Sequence, residues 1–317
     1  MPSPMAPDQR HFPDAPPTGS GLIFLGTGSS TGVPTPRCVL QPSNPPCKVC
    51  STSLVLQPHE NPDYRCNPSV VVRYAHPDGR LRHVQIDCGK HFRESMLRWF
   101  PKHKIPSLDA LLLTHEHADA TLGIDDLRGL QGYGTQQEPI TVFLDQYAQD
   151  SVALRFPYLQ PNAQEGAAVV RRVAAINWKV VTAGVPFCVE GLEILPVAMK
   201  HGEDYEALGF VFGEEQRVAY LSDVSRIEDE SMAVLQSAPI HLLVIDALLV
   251  EKHHPTHFNM RQALDVIKLL RPARAYLTGL SHQFDHAETG AELAALRETE
   301  GIDVMLPRDG LWVPLEL

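Results

Sequence analysis

Residues 108–120 read LDALLLTHEHADA, an apolar run that breaks off into alternating histidine and acid. Leu108–Thr114 is short, continuous and apolar, the pattern of a strand covered on both faces. A buried strand holds its ends rigidly. His115 and His117, one residue apart just beyond that end, can therefore be aimed from a tight loop at a single ion, and imidazole suits zinc, manganese or iron. A bare HxH pair is as easily two exposed loop residues; an HxHxD string directly after LLLT is far more specific.

A metal needs further donors, and other strand ends supply them. His201 follows the run Leu192–Met199, and Asp223 follows Val218–Leu221 in AYLSD. Either alone is an ordinary cap or turn residue. With His115 and His117 they make a three-histidine, one-aspartate set that leaves a coordination position for water. Such a water is acidified toward neutral pH and becomes a hydroxide nucleophile.

Around this centre the chain alternates strands and helices. Gly21–Leu25 is a strand stopped by Gly26. The following GTGSSTGVP superficially matches a dinucleotide-binding loop, but Pro34 and Pro36 come at once and no amphipathic helix starts there, which excludes that reading. Val70–Tyr74 and Val84–Ile86 read as strands around the turn Pro77-Asp78-Gly79, and His91–Phe100 as a helix ended by Pro101. Ile140–Leu144, Glu193–Met199, Leu208–Phe212, Arg217–Leu221 and Leu242–Ile245 continue the strands. Helices are expected at 228–237, 259–270 and 286–300. Asp125 and Asp126 suit the start of a helix, and Arg128 is a candidate contact for an anionic substrate. The pattern is a layered α/β domain with its functional residues at strand ends.

Composition is that of an ordinary globular protein, with 44% apolar and 21% charged residues and a net charge of −11. That acidity disfavours nucleic acid, whose phosphates attract basic faces. Residues 1–18 carry six prolines and no apolar run, so they read as a disordered tail and not as a secretory signal. No run is long and apolar enough for a membrane helix. A cytoplasmic location is expected, where clustered cysteines ligate metal more often than they form disulfides. Cys38, Cys47 and Cys50 fall in a Pro- and Cys-rich stretch, 36–66, that reads as irregular. Cys47-Lys-Val-Cys50 has the spacing of a zinc knuckle. Cys66, Cys88 and Cys188 read as small buried hydrophobes.

LGTGSSTGVP near the start, IDCG at 86–89, THEHAD at 114–119, His201, LSD at 221–223 and PTHFN at 255–259 together resemble the metallo-β-lactamase superfamily. The resemblance is to its PhnP-type phosphodiesterase branch, a relative of tRNase Z, and covers roughly residues 20–317. It implies a four-layer αββα sandwich over 19–317 with the metal site at one edge of the sheets. It also implies that His115, His117, His201 and Asp223 hold a first metal, that Asp119 serves a second metal, and that His257 is the acid for the leaving oxygen. A structural zinc on Cys38, Cys47 and Cys50, closed by His282, follows from the same branch.

Two positions depart from the pattern. Ala120 stands where the HxHxDH motif ends in histidine, and Gly279 where an LTH motif has its histidine, both ligands of the second metal. Either one metal suffices, or His286, Asp285 or His254 refill the site, or hydrolysis is lost. On the first reading Asp119 orients the attacking water, and Ala120→His with Gly279→His should add an ion. The expected function is hydrolysis of a small phosphodiester, cyclic ones included, through a metal-bound hydroxide, with Zn²⁺ (alternatively Mn²⁺) in the active site. The alternatives are tRNA 3′ processing, disfavoured by charge and by the lack of a long insertion, thioester or lactone hydrolysis, and a non-catalytic binding role. The partner expected is a small phosphodiester or ester, with a homodimer left open.

Overall fold

The apolar runs of the sequence become the strands of two seven-stranded sheets. A computed structural model describes residues 18–132, 138–161, 163 and 171–317; all but the last residue of the expected tail lies outside them. The first half of the chain runs β1 (Gly21–Gly26), α1 (Pro36–Leu40), α2 (Lys48–Thr52), β2 (Ser69–Ala75), β3 (Leu81–Ile86), α3 (Phe92–His103), β4 (Ala110–Leu112), α4 (Ala118–Thr121), β5 (Ile140–Leu144), α5 (Gln146–Arg155) and β6 (Ile176–Val180). The second half runs β7 (Phe187–Val189), β8 (Leu192–Lys200), β9 (Glu206–Phe212), β10 (Val218–Leu221), α6 (Asp229–Gln236), β11 (Leu242–Asp246), α7 (Met260–Leu270), β12 (Arg274–Thr278), α8 (His286–Glu300), β13 (Val304–Met305) and β14 (Trp312–Pro314).

Each half begins as an antiparallel meander and ends in parallel strands. β1, β2 and β3 pair antiparallel and β3 to β6 parallel; β7 to β10 pair antiparallel and β10 to β13 parallel. β14 crosses back to pair with β1, Trp312 opposite Ile23. Parallel neighbours need a crossover, and the helices that supply it cover the outer faces.

Strand alternation then sorts the side chains into layers. Leu22 and Phe24 of β1 face the other sheet, as do Leu242 and Val244 of β11. Ile23 and Leu25 pack beneath Phe92, Trp99 and Phe100 of α3 and Val152 of α5. Leu243 and Ile245 pack beneath Ala263 and Ile267 of α7 and Leu293 of α8. The result is the αββα sandwich. Among the described residues no helix is long and apolar enough to cross a membrane.

Some local expectations are corrected. α3 passes through Pro101 to His103, because a proline in the last turn gives up one bond, to the carbonyl of exposed Leu97. Lys104, at φ +56°, then ends the helix by donating its N–H to Phe100 and Pro101. The stretch 36–66 is not wholly irregular, since α1 and α2 form on either side of the cysteines. Cys188 is exposed on β7 and not a core residue. The apolar run 108–114 contributes only three residues to the ladder.

Candidate metal centre

The carboxyl ends of strands from both sheets meet at one edge, and each brings a polar residue there. Past β4, His115 is 1% exposed. The Thr114 hydroxyl donates to Asp87, just past β3, at 2.8 Å and so accepts from Nδ1 of His115 at 2.8 Å. That chain fixes the tautomer and leaves the buried Nε2 of His115 without a hydrogen-bond partner. His201, past β8, gives its Nδ1 proton to the Thr256 carbonyl at 2.8 Å, freeing its own Nε2. His117 is half-exposed. The three rings lie 4.6, 5.2 and 5.2 Å apart by centroid. Their ligand atoms fall within 4.8 Å of one another, and so do those of His201, Asp223 and His257. Asp119, in the first turn of α4, places a carboxylate oxygen 4.0 Å from Nε2 of His115. Gly89 allows that approach, because a Cβ there would meet the Asp119 carbonyl at 1.7 Å.

Burial shapes the charges. It drives the His201 imidazole down to about 4, so the ring is a neutral donor near pH 7. Burial alone would lift the Asp223 carboxyl, but His115, His201 and His257 hold it at about 2, an anion. His257 donates from Nδ1 to Oδ2 of Asp246 at 2.7 Å. Burial opposes charge on His257, and the Asp246 carboxylate overcomes it and raises the imidazolium to about 9. Asp246, at the end of β11 and 0% exposed, was passed over in the sequence. It follows directly on the apolar run Leu242–Ile245 and closes the same strand. The available signal was a carboxylate ending a buried parallel strand.

The structure also explains Gly279. Its φ is +72°, and a Cβ there would stand 2.5 Å from Oδ1 of Asp246. A histidine at 279 would therefore collide with the partner of His257, so Gly279→His cannot simply restore a ligand. Of the proposed refills, Asp285 caps α8 and pairs with Lys48 at 2.7 Å. The amide of His286 bonds Asp63, and its ring is pushed down to about 4 by burial beside Arg65. Neither groups with the histidines. His254 lies 5.2 Å from the His257 ring. The Arg128 guanidinium is paired with Asp125 at 3.1 Å within a 3₁₀ turn.

The structure brings Cys38, Cys47 and Cys50, singled out by their clustering, together with His282, which the family resemblance pointed to. Nδ1 of His282 stands 3.4 Å from the Cys38 sulfur and 3.5 Å from that of Cys47. With Cys50 the four ligand atoms lie within 4.8 Å of one another. Sulfur and nitrogen ligands about 2.3 and 2.0–2.1 Å from a tetrahedral zinc sit at such separations. Buried Arg65 steadies the histidine by donating to the Ser281 and Phe284 carbonyls on either side of it.

Comparison with known proteins gives the family and the fold. The family described as the beta-lactamase superfamily domain matches residues 82–279. A solved diphosphatase of the PhnP family is 33% identical, with 94% of this chain and 98% of that chain covered and a TM-score of 0.73. Zn²⁺-bound PqqB from Methylobacterium extorquens (18% identity, 93% and 99% covered, TM-score 0.68) and the short form of human tRNase Z (18%, 93% and 99%, 0.58) share the fold. An octanoyltransferase of Porphyromonas gingivalis is 32% identical over 261 residues, 82% of this chain and 46% of that protein. This chain thus spans about half the length of that relative. By its matched domain and its likeness to a PhnP-family protein, the chain belongs to the metallo-β-lactamase superfamily, in the branch that includes PhnP-type proteins.

Proposed function

We propose that the chain is a metal-dependent hydrolase of a small phosphodiester. The observation that carries this is the buried, partnerless Nε2 of His115, aimed into a cluster with His117 and His201 and next to the anionic Asp223. A polar atom buried without a partner is costly unless a ligand completes it. The three histidines fit one divalent cation, and we assign Asp223, which groups with His201, as its fourth donor, with zinc favoured and manganese the alternative. Such an ion supplies Lewis acidity and an acidified water.

The protein's own groups complete the chemistry. Asp119 accepts a hydrogen bond from the attacking water and orients it. His257, protonated and braced by Asp246, donates a proton to the leaving oxygen. The imidazolium also offsets charge developing on phosphorus oxygens. The likeness at 33% identity to a diphosphatase of the PhnP family supports attack at phosphorus, and the net charge of −11 supports a small substrate. A carbonyl ester or thioester is the second reading, favoured by the acyl-transfer name of the Porphyromonas relative. Turnover of a panel of phosphodiesters, thioesters and lactones by zinc-loaded protein separates the two. Hydrolysis of thioesters alone would reject the phosphodiester reading.

A further inference from the structure

The histidine cluster opens on one side onto aromatic rings. Tyr205 lies face to face with His117, centroids 5.4 Å apart and planes 15° from parallel. Its hydroxyl donates to the Glu116 carboxylate. Tyr147, in the first turn of α5, meets Tyr205 edge-on at 5.7 Å. Tyr205 is thus built into the site, whereas Tyr147 leaves 62% of its surface uncovered. Tyr147 therefore reaches the histidines only through Tyr205, and its bare ring is open to stack on an aromatic group.

Tyr147 is also one wall of a groove of about 320 Å³ between the ends of β5 and β6 and the start of β9. Val181, Ala183 and Leu208 give the groove apolar surface. Among the described residues its charged lining groups are two carboxylates, Asp145 and Glu206, with no lysine or arginine. Asp145 is occupied as the cap of α5, accepting from the Ala148 amide at 2.6 Å. Glu206 is paired with Lys200 at 2.8 Å. Both carboxylates are thus engaged, so the groove offers an incoming group apolar contact with polar edges and no unpaired charge among its described lining residues.

We propose that this groove binds an uncharged aryl or heteroaryl group carried on an ester oxygen of the substrate, packed against the Tyr147 ring. Tyr147 would then determine specificity, favouring arylated over alkylated phosphoesters. The proposal rests on the hydrolase reading only for which bond reacts, and its test is a binding measurement that stands apart from turnover.

Phenyl phosphate and methyl phosphate are titrated calorimetrically into zinc-loaded native protein and into the Tyr147→Ala and Tyr147→Phe variants. The native protein should prefer phenyl phosphate by about tenfold, the margin one good aromatic contact with its apolar burial supplies. That margin should shrink to roughly twofold in Tyr147→Ala and persist in Tyr147→Phe, which keeps the ring. Because Tyr147 is mostly exposed, both variants should retain the native melting temperature. A native protein without the preference, or a preference that survives Tyr147→Ala, overturns the proposal. Turnover of methyl phenyl phosphate is scored separately. Absence of hydrolysis with the binding margin intact rejects the hydrolase reading and leaves the aryl site standing.

Discussion

At the scale of single residues, the pair Asp246–His257 carries the most specific consequence. The imidazolium is raised to about 9 by its buried carboxylate partner, so the acid form is present below that pH and is lost as pH rises through it. Its contribution to stability runs the same way, complete below the ordinary value of 6.5 and lost by about 9. Asp246→Asn removes the anion. We expect kcat to fall by about 10²-fold, the scale of lost acid–base assistance. The basic limb of its pH profile should move to lower pH. A profile unchanged in Asp246→Asn would remove His257 from the role of acid.

Gly279 makes the opposite kind of prediction. With φ at +72° and Asp246 2.5 Å from any added Cβ, Gly279→His should bind no additional ion. It should lose about 2 kcal/mol or more of stability, from left-handed backbone strain and steric clash. Thermal denaturation and elemental analysis of the variant read the two effects separately. A gain of one ion at unchanged melting temperature would contradict this packing argument.

At the scale of elements, the segment from α1 to α2 depends on its cysteines. Its apolar interior is only Val33, Val49 and Cys50, with Cys38 and Cys47 packed against them. So small a cluster contributes little by burial, and a structural zinc would contribute folding energy directly. Cys47→Ser should therefore lower the melting temperature by roughly 5–10 °C and release one zinc, with the distant histidine cluster intact. Retention of both the zinc and the melting temperature would refute the zinc assignment.

Legibility in the sequence follows the same physics. HEHAD and Asp223 were legible because each follows a short, fully buried apolar strand, whose burial fixes where the next residues sit; His201 follows the longer, alternating β8. Asp246 obeys the same rule but closes its strand without a motif around it, so only the neighbouring His257 reveals its role. Tyr205 and Tyr147 were not legible at all. They meet only when the residue before β9 and the first turn of α5, far apart in sequence, are brought together by the fold. Cys188 was misread because nothing local marks β7 as an edge strand of its sheet.

At the scale of the whole molecule, the two sheets behave as one frame whose strand ends form the site. Leu243 is fully buried between β11 and its covering helices, directly behind the strand that ends in Asp246. Leu243→Ala should cost about 2–5 kcal/mol, and urea denaturation with a fixed m-value would register it as a change in midpoint. A loss below 1 kcal/mol would mean that the layer beneath the site repacks freely.

The central claim is that one active-site ion is held by His115, His117, His201 and Asp223, with no place for a second tight ion beside Ala120 and Gly279. Elemental analysis of Cys47→Ser protein, freed of the structural zinc, tests it most directly. The result predicted is about one tightly bound divalent ion per chain, lost on adding His117→Ala. Two tightly bound ions in Cys47→Ser, or one that survives His117→Ala, would contradict it.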